Sequence, residues 1–521
     1  MAAVPYIIGN PYIDADFAAL GTGTGTVTSI VIGAGLASTQ SPLTTTGTMS
    51  LAASGATPGT YGGATTVPQI AVDTYGRITG VSGVSTGFVN VTTFGASTGA
   101  TAAANTTAFQ AALNSAAGVS VYVPAGTWLL NGLSLPSGVT FFGSGVHSTI
   151  LQCGSSSITL LGYFVPAGNP LGPQVRDMTL DANGQTGCTA LLLHGLDAGS
   201  RLLQTFIGNI AVKGIFSYGL DLYLCANTFI SNLYIQSSTI GVHIDICADI
   251  NLVSVDVQNG SGIGFFVGNS SGVGNPAGEG ARLISCTTNG QGTGLVLSTQ
   301  GWGTATGCSF TSDYNAPLMI FGSTNWKFAG CEFATGGLPV TNAAGTGATA
   351  TLTFAGNVTI PVGTLLHVRG VTPAGYNGDY TVTASSSTTV SYANATTGYT
   401  SGGAIYPDQP GANIDSASSN ITMTGCQFTL CGFGILSFAD TVLVTGCFFT
   451  ANFNTDCYLG ATSQHSIFSN NVMASTGITF SIIELAGASY NSFVGNVCKG
   501  TISSAGTGSL SASNITRPVR Y

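Results

Sequence analysis

A five-residue pattern returns along this chain at nearly constant spacing. It reads TGCSF around Cys308, AGCEF around Cys331, TGCQF around Cys426 and TGCFF around Cys447, with steps of 23, 95 and 21 residues. Cys286 lies 22 residues before Cys308, and SNNVM and VGNVC place Asn471 and Asn496 at the same point after further steps of 24 and 25. A period of this size, made of short β-type runs closed by Gly and Asn turns, means stacked coils in which each repeat contacts its neighbours. No helical stripe interrupts the period, so a parallel β-helix fits better than a horseshoe with helices on its outer face. The single long step marks an insertion.

A second register supports the stack. GLDLYLCA (219–226), GVHIDICA (241–248) and GIGFFVGN (262–269) follow one another at 22 and 21 residues. Strand side chains alternate between faces. The inward sets are then Leu220/Val242/Ile263, Leu222/Ile244/Phe265 and Leu224/Ile246/Val267. Without the insertion, about 13 coils at roughly 4.8 Å each give a shaft near 60 Å. The twelve cysteines form no CxxC pair, so a zinc site is not expected. They read instead as small buried hydrophobes, with Cys286, Cys308, Cys331, Cys426 and Cys447 stacked as free thiols beside inward Phe310, Phe333, Phe428 and Phe449.

Composition agrees with a polar, uncharged surface of Thr, Ser, Asn and Gly. Charged residues make up 6% of the chain, against about 25% in ordinary soluble domains. The net charge is −9, and no Lys/Arg cluster provides a nucleic-acid footprint. The same deficit argues against an anionic membrane surface, and no run of 18 apolar residues predicts a spanning helix. Met1–Asn10 lacks the basic start of a secretory signal. Synthesis in a cytoplasm is expected, with any later life outside it reached through an assembly.

Residues 1–25 read as a short head ending in a flexible Gly/Thr stretch, and 26–86 as a β-rich shaft module. Within the module, Ile70–Val72 and Ile78–Val81 flank Asp73-Thr-Tyr-Gly-Arg77 as a hairpin. Strands this thin cannot bury a core alone, which predicts three chains wound together. A β-helix is expected over 87–337 and 407–500, with a helix at about 106–117, capped by Asn105, closing its open end. The insertion, 338–406, carries strands at Leu365–Arg369, Asp379–Ala384 and Thr389–Tyr392, and Asn377-Gly378 signals a hairpin. It reads either as a decoration that stiffens the shaft or as a lobe that touches glycan. Residues 501–521 form a Ser/Thr/Gly tail that either wraps the tip of a trimer or stays loose.

FGASTGATAAANTTAFQAALNSAAGVSVYVPAGTWLLNGLSLPSGVTFFGSG (Phe94–Gly145) resembles the opening segment of pectate-lyase-like β-helices in bacteriophage tailspikes. VRDMTLDANG (Val175–Gly184) resembles a first-coil motif of the same group. ATPGTYGGATTVPQIAVDTYGRITGVSG, within 25–83, is similar to a phage tail-fibre module, and GYNGDYTVT to a small β-module of phage tail proteins. The family usually carries aspartates before its helix, and 99–107 has none. The resemblance implies an all-β, right-handed, single-stranded parallel β-helix in a homotrimer. It also implies attachment to a phage tail, baseplate or adaptor protein through the N-terminus, a place in the virion tail, and recognition of a host surface polysaccharide. No cofactor is expected.

Out-facing positions locate candidate chemistry. Aligning ALLLH (190–194) with the three coils gives one external ladder of Leu192, Asp221, His243 and Gly264, and another of His194, Tyr223, Asp245 and Phe266. Charges are scarce here, so a patch holding two carboxylates, two imidazoles and two aromatic rings stands out. Asp221 and Asp245 are diagonal neighbours, roughly 7–8 Å apart by sheet geometry, and inverting glycosidases hold their carboxyls roughly 6.5–9.5 Å apart. The candidates are Asp221, Asp245 and His243 for catalysis, one carboxyl acting as acid with its pKa raised by the other. His194, Tyr223, Phe266 and Trp302 are candidates for substrate contact. The patch equally fits a solvated sheet face, a surface buried between trimer chains, or a glycan-binding site without cleavage. An alternative pair, Asp256 and Glu332, lies on a ladder running Tyr234, Asp256, Thr287, Ser309, Glu332, Gln427. Three coils, about 14 Å, separate the two, too far for a simple dyad. Lys213, Arg282 and Lys327 look isolated, which argues against a metal-dependent lyase that needs clustered carboxylates and a basic residue. Cleavage by a polysaccharide depolymerase of glycoside-hydrolase type stays open beside a purely structural or receptor-binding fibre.

Overall fold

The computed structural model describes residues 29–516 apart from 30, 34–35, 40–46, 54, 64–65, 117–118, 166, 198, 270–279, 313 and 356–357. The expected head at 1–25 lies outside the described residues. The chain divides into two compact units, Met1–Gly87 and Phe88–Tyr521.

In the first unit, Thr66–Val72 pairs antiparallel with Ile78–Ser85. The turn between them is held by Asp73, which accepts from the backbone N–H groups of Tyr75 and Arg77 and pairs with the Arg77 guanidinium at 2.7 Å. The hairpin expected from the turn residues is therefore present. Its apolar side chains Val67, Ile70 and Val72 remain exposed.

The second unit opens with a short strand, Phe88–Asn90, and a 3-10 turn, Val91–Phe94, before the helix α1, Ala102–Ser115. It starts four residues before the sequence suggested, because Thr101 and not Asn105 is the N-cap, its hydroxyl accepting from the Ala104 N–H. Asn105 lies buried inside the helix and accepts from Ser97 N–H. Phe109, Ala112 and Leu113 face the core as expected, with Phe109 edge-on to Trp128 at 5.4 Å.

Beyond α1 the chain coils. Each full coil gives three strands, as in Ala281–Ile284, Thr287–Asn289 and Thr293–Ser298. Each strand pairs in parallel with its counterparts in the coils before and after. One face is a sheet of 13 strands, matching the coil number read from the period.

The repeat motif is the corner between the first two strands. The residue before each ladder position is left-handed: Ser285, Gly307, Gly330, Gly425, Gly446, Asn470, Gly495 and Ser513 all have φ between 51° and 69°. Glycine adopts that conformation without a Cβ penalty, hence the recurring Gly-Cys. The turn swings the cysteine inward, where it is buried, and its thiol donates to a carbonyl of the preceding coil, Cys331 to Ala305 and Cys447 to Met423. Asn471 and Asn496 continue the ladder, each accepting through its side chain from the backbone N–H one coil back. Phe310, Phe333, Phe428 and Phe449 stack beside them with centroids 4.9–5.8 Å apart.

Two readings of the coil need correction. GIGFFVGN is displaced by two residues, because Val242 pairs with Phe265 and Ile244 with Val267. Parity is kept, so Phe265 and Val267 still face inward. Leu224 and Ile246 leave the main core: both have left-handed φ at a corner and form their own small cluster against Tyr223. The coils also continue past Gly500. Thr501–Ser504 pairs with Phe480–Glu484, and strands run on to Ile515–Thr516. The described part of the expected tail, 501–516, therefore continues the coil, with Leu510 and Ile515 exposed on it.

The insertion leaves after Glu332–Thr335 and returns at Pro410–Ile414. It builds a seven-stranded antiparallel sheet with a separate apolar core around Leu352, Tyr376 and Tyr392. Asn377-Gly378 does not make a two-residue hairpin. It ends a longer loop between Leu365–Arg369 and Gly378–Thr381, where the Asn377 side chain bonds both the N–H and the carbonyl of Val371.

Candidate glycan-binding face

Five neighbouring strands of the 13-stranded sheet carry the patch: β1 Thr159–Phe164, β2 Cys188–His194, β3 Phe216–Tyr223, β4 Ile240–Asp245 and β5 Ile263–Gly268. Their registers give two external ladders. One runs Gly162, Leu192, Asp221, His243, Phe266, and the other Phe164, His194, Tyr223, Asp245, Gly268. The two-residue displacement of β5 moves Phe266 from beside Asp245 to beside His243. Its ring lies over Gly268, where an added Cβ would come within 2.3 Å of it.

At the centre, Asp221 joins the two histidines. One carboxylate oxygen meets His243 Nδ1 at 2.8 Å and the other meets His194 Nε2 at 3.1 Å. Burial, which leaves Asp221 only 7% exposed, would push its carboxyl up. The two imidazole hydrogen bonds and the charge they carry outweigh it and hold the group at about 2. An ionised carboxylate only accepts, so each imidazole gives it an N–H, which leaves His194 Nδ1 and His243 Nε2 for other partners. The expected general acid with a raised pKa is therefore not Asp221. Asp245 lies one rung along the neighbouring ladder, buried at 3% exposure.

Around this centre is a strip of rings. Phe164 meets His194 edge-on at 5.6 Å, His194 lies 5.4 Å from Tyr223, Tyr218 lies 5.3 Å from His243, and Phe266 stacks on His243 at 5.0 Å. Phe164 is 62% exposed. Phe164 and Tyr218 were missed from the sequence, although aligning LLGYF one coil before ALLLH would have found Phe164. Such a strip, with the outer imidazole nitrogens between the rings, can stack on sugar faces and hydrogen-bond their hydroxyls.

The second face follows the predicted ladder: Tyr234, Asp256, Thr287, Ser309, Glu332 and Gln427 are successive rungs. Asp256 accepts from Thr287 at 2.6 Å and Gln258 at 2.7 Å, and Glu332 accepts from Ser309 at 3.0 Å. The two carboxylates stand three rungs apart. A depression of about 420 Å³ beside Tyr234 is lined by His147, Asn209, Lys213 and Asn232 among others. Trp302 stands elsewhere, before the strand Gly303–Thr306. No group of three or more His, Cys, Asp or Glu placed to hold a metal occurs among the described residues. No described helix is long and apolar enough to cross a membrane.

Residues 88–186 match the family described as rhamnogalacturonase A/epimerase, pectate lyase-like. The segment Phe94–Gly145, read from its sequence as pectate-lyase-like, falls inside that match. No curated protein matches the chain. Among solved structures, tailspike protein 3 of bacteriophage CBA120 is similar with TM-score 0.49 and 11% identity, covering 98% of this chain and 69% of that one. A mutant tailspike protein of E. coli bacteriophage HK620 gives TM-score 0.44 and 12% identity over 86% of this chain and 82% of that one. The A-module of mannuronan C-5 epimerase AlgE6 from Azotobacter vinelandii gives 0.43 and 15% over 83% of this chain and 100% of that one.

Proposed function

We propose that this chain is a phage tailspike or tail fibre that recognises a host surface polysaccharide through the face built on β1–β5. The observation that carries the reading is the Asp221 carboxylate clamped between His194 and His243 inside a strip of exposed and half-exposed rings. A solvated β-helix face needs no such group, because Thr, Ser and Asn suffice elsewhere on the coil. The clamp fixes two imidazoles in position at a cost in buried charge that only their hydrogen bonds offset. The strip supplies stacking surface, and the second nitrogens supply directional contacts.

The reading places the protein in the virion tail as a homotrimer made in the host cytoplasm. The N-terminal unit would wind three chains together, since its Val67, Ile70 and Val72 stay exposed in one chain, and would dock on a tail, baseplate or adaptor protein. Native mass spectrometry of the purified protein gives three times the chain mass on this account, and a monomer at micromolar concentration rejects the trimer. Binding without cleavage is the primary reading. With Asp221 held ionised, an acid for glycoside cleavage would have to be another group, and Asp245, Asp256 and Glu332 are the candidates left. Incubating purified protein with host lipopolysaccharide or capsule decides between them: released oligosaccharide establishes a depolymerase, retained polymer a receptor-binding fibre, and no adsorption to host cells or their envelope glycan leaves a structural fibre.

A further inference from the structure

The sequence presents Arg282 and Lys327 as isolated charges 45 residues apart. The coil brings them together. Arg282 pairs with Thr304, and Thr304 with Lys327, on successive rungs of one external ladder. Two rungs put their backbones about 10 Å apart, within mutual reach of two long side chains. Both line a depression of about 140 Å³ whose other walls include Trp302, Thr304 and Asn325.

Three observations make this a site and not a stretch of surface. First, Trp302 is 60% exposed, whereas Trp128 and Trp326, the other two tryptophans of the chain, are buried. An exposed indole contributes nothing to the core, and among the described residues no ring or guanidinium stacks on it. Second, neither cation is used in an ion pair among the described residues. Arg77, Arg176 and Arg369 each pair with a neighbouring aspartate, but among the described residues the one side-chain hydrogen bond of Arg282 is to the Asn251 side chain at 3.3 Å. Third, the chain has only 10 basic residues against 19 acidic ones, so two unpaired cations on one wall are a local exception to its charge.

The rows on either side define what fits. Below Arg282 the ladder continues through Asn251 to Phe229 and Phe206, whose rings stack at 5.8 Å, and above Lys327 comes Thr422. Among the described residues, the Asp249 carboxylate packs against Gly280 at the edge of the depression. A flat indole beside two unpaired cations and several amide and hydroxyl groups suits a sugar ring that carries an anion.

We infer that the Trp302–Arg282–Lys327 depression is a second saccharide subsite, selective for sugar residues bearing a carboxylate or a phosphate. This rests on the reading of the chain as a polysaccharide-binding protein and adds the chemical class of the polymer. Trp302 stacks on the ring face. Arg282 and Lys327 take the anion, the guanidinium in forked geometry and the ammonium as a point charge. A chain of net charge −9 repels an acidic polymer at long range, so recognition of one calls for a local cationic pair of this kind.

The test uses the purified full-length protein on a bacterial glycan array holding uronate-containing, phosphate-substituted and neutral polysaccharides. The wild type is compared with Arg282→Gln/Lys327→Gln, with Trp302→Ala and with Phe164→Ala/Phe266→Ala. All five replaced side chains reach the surface, and unchanged thermal melting confirms that each variant folds. The inference predicts acidic members among the bound glycans, at least tenfold weaker binding of them by the double glutamine variant and by Trp302→Ala, and weakening as salt rises from 50 to 500 mM. Whether the uronate or the phosphate members respond identifies the anion. Binding confined to neutral glycans, or acidic binding untouched by the glutamine variant, overturns the inference while the glycan-binding reading stands. Absence of all binding overturns both. Loss of binding only in Phe164→Ala/Phe266→Ala assigns recognition to the β1–β5 face and rejects this subsite.

Discussion

Replacing Asp221 with asparagine tests the centre of the candidate face as a folded object. The carboxyl stands at about 2 in the native protein against an ordinary 3.8, because two imidazole bonds outweigh its burial. That difference is worth about 2 kcal/mol at neutral pH. The sign follows from the direction. A depressed carboxyl stabilises the fold fully above its unfolded value, near 4, and loses that contribution as pH falls through its folded value. Linkage leaves about 0.5 kcal/mol at pH 2. Denaturant unfolding of wild type and Asp221→Asn, followed by circular dichroism and compared as midpoints at equal slope, should therefore differ by about 2 kcal/mol at pH 7. The gap should close progressively between pH 4 and pH 2. A variant as stable as wild type at pH 7, or a gap that stays constant down to pH 2, would refute the clamp.

Asp456 behaves in the opposite sense. Burial raises its carboxyl to about 6, despite bonds from Ser475 and Asn452, so its ionisation costs stability as pH rises from about 4 through 6. Asp456→Asn should stabilise the protein at pH 8 by up to about 3 kcal/mol and be nearly neutral at pH 4, measured by the same unfolding experiment; destabilisation at pH 8 contradicts this. All twelve cysteines are free and buried, and burial pushes Cys431 and Cys498 up to about 12. A thiol reagent at pH 8 should label almost none of them in the native protein and nearly all after unfolding, and prompt native labelling would contradict the inward ladder. Asn496→Ala removes a side chain that bridges two coils through bonds to Asn471, Asn514 and the Phe468 carbonyl. It should cost about 1–3 kcal/mol, and a loss under 0.5 kcal/mol would show that the ladder does not hold the coils.

How far the sequence reached depended on whether local chemistry or long-range register set the answer. The Gly-Cys corners were legible because each demands a left-handed residue and then a small inward one, a signal repeated at five or more coils. The polar ladder from Tyr234 to Gln427 was legible because its rungs count from those corners. The placement of Phe266 was not: between β4 and β5 a lengthened turn shifts the register by two, and parity, the only thing alternation fixes, is unchanged by two. The start of α1 was misplaced because Asn105 is as good an N-cap by type as Thr101, and only the packing of the helix against the first coil buries Asn105. The clamp at Asp221 was seen as proximity but not as chemistry, since its depressed pKa depends on both histidines folding onto one carboxylate. Arg282 and Lys327 are neighbours only through the coil.

The central claim is that the β1–β5 face binds a host polysaccharide. It is tested most directly by adsorption of the purified protein to host envelope glycan, comparing wild type with His194→Ala/Phe266→Ala and with Thr422→Ala as a surface control. The account predicts saturable adsorption by wild type and the control, and at least a tenfold loss in the double variant, with its circular dichroism spectrum showing it folded at the assay pH. Full adsorption by a folded double variant, or none by wild type, would contradict it.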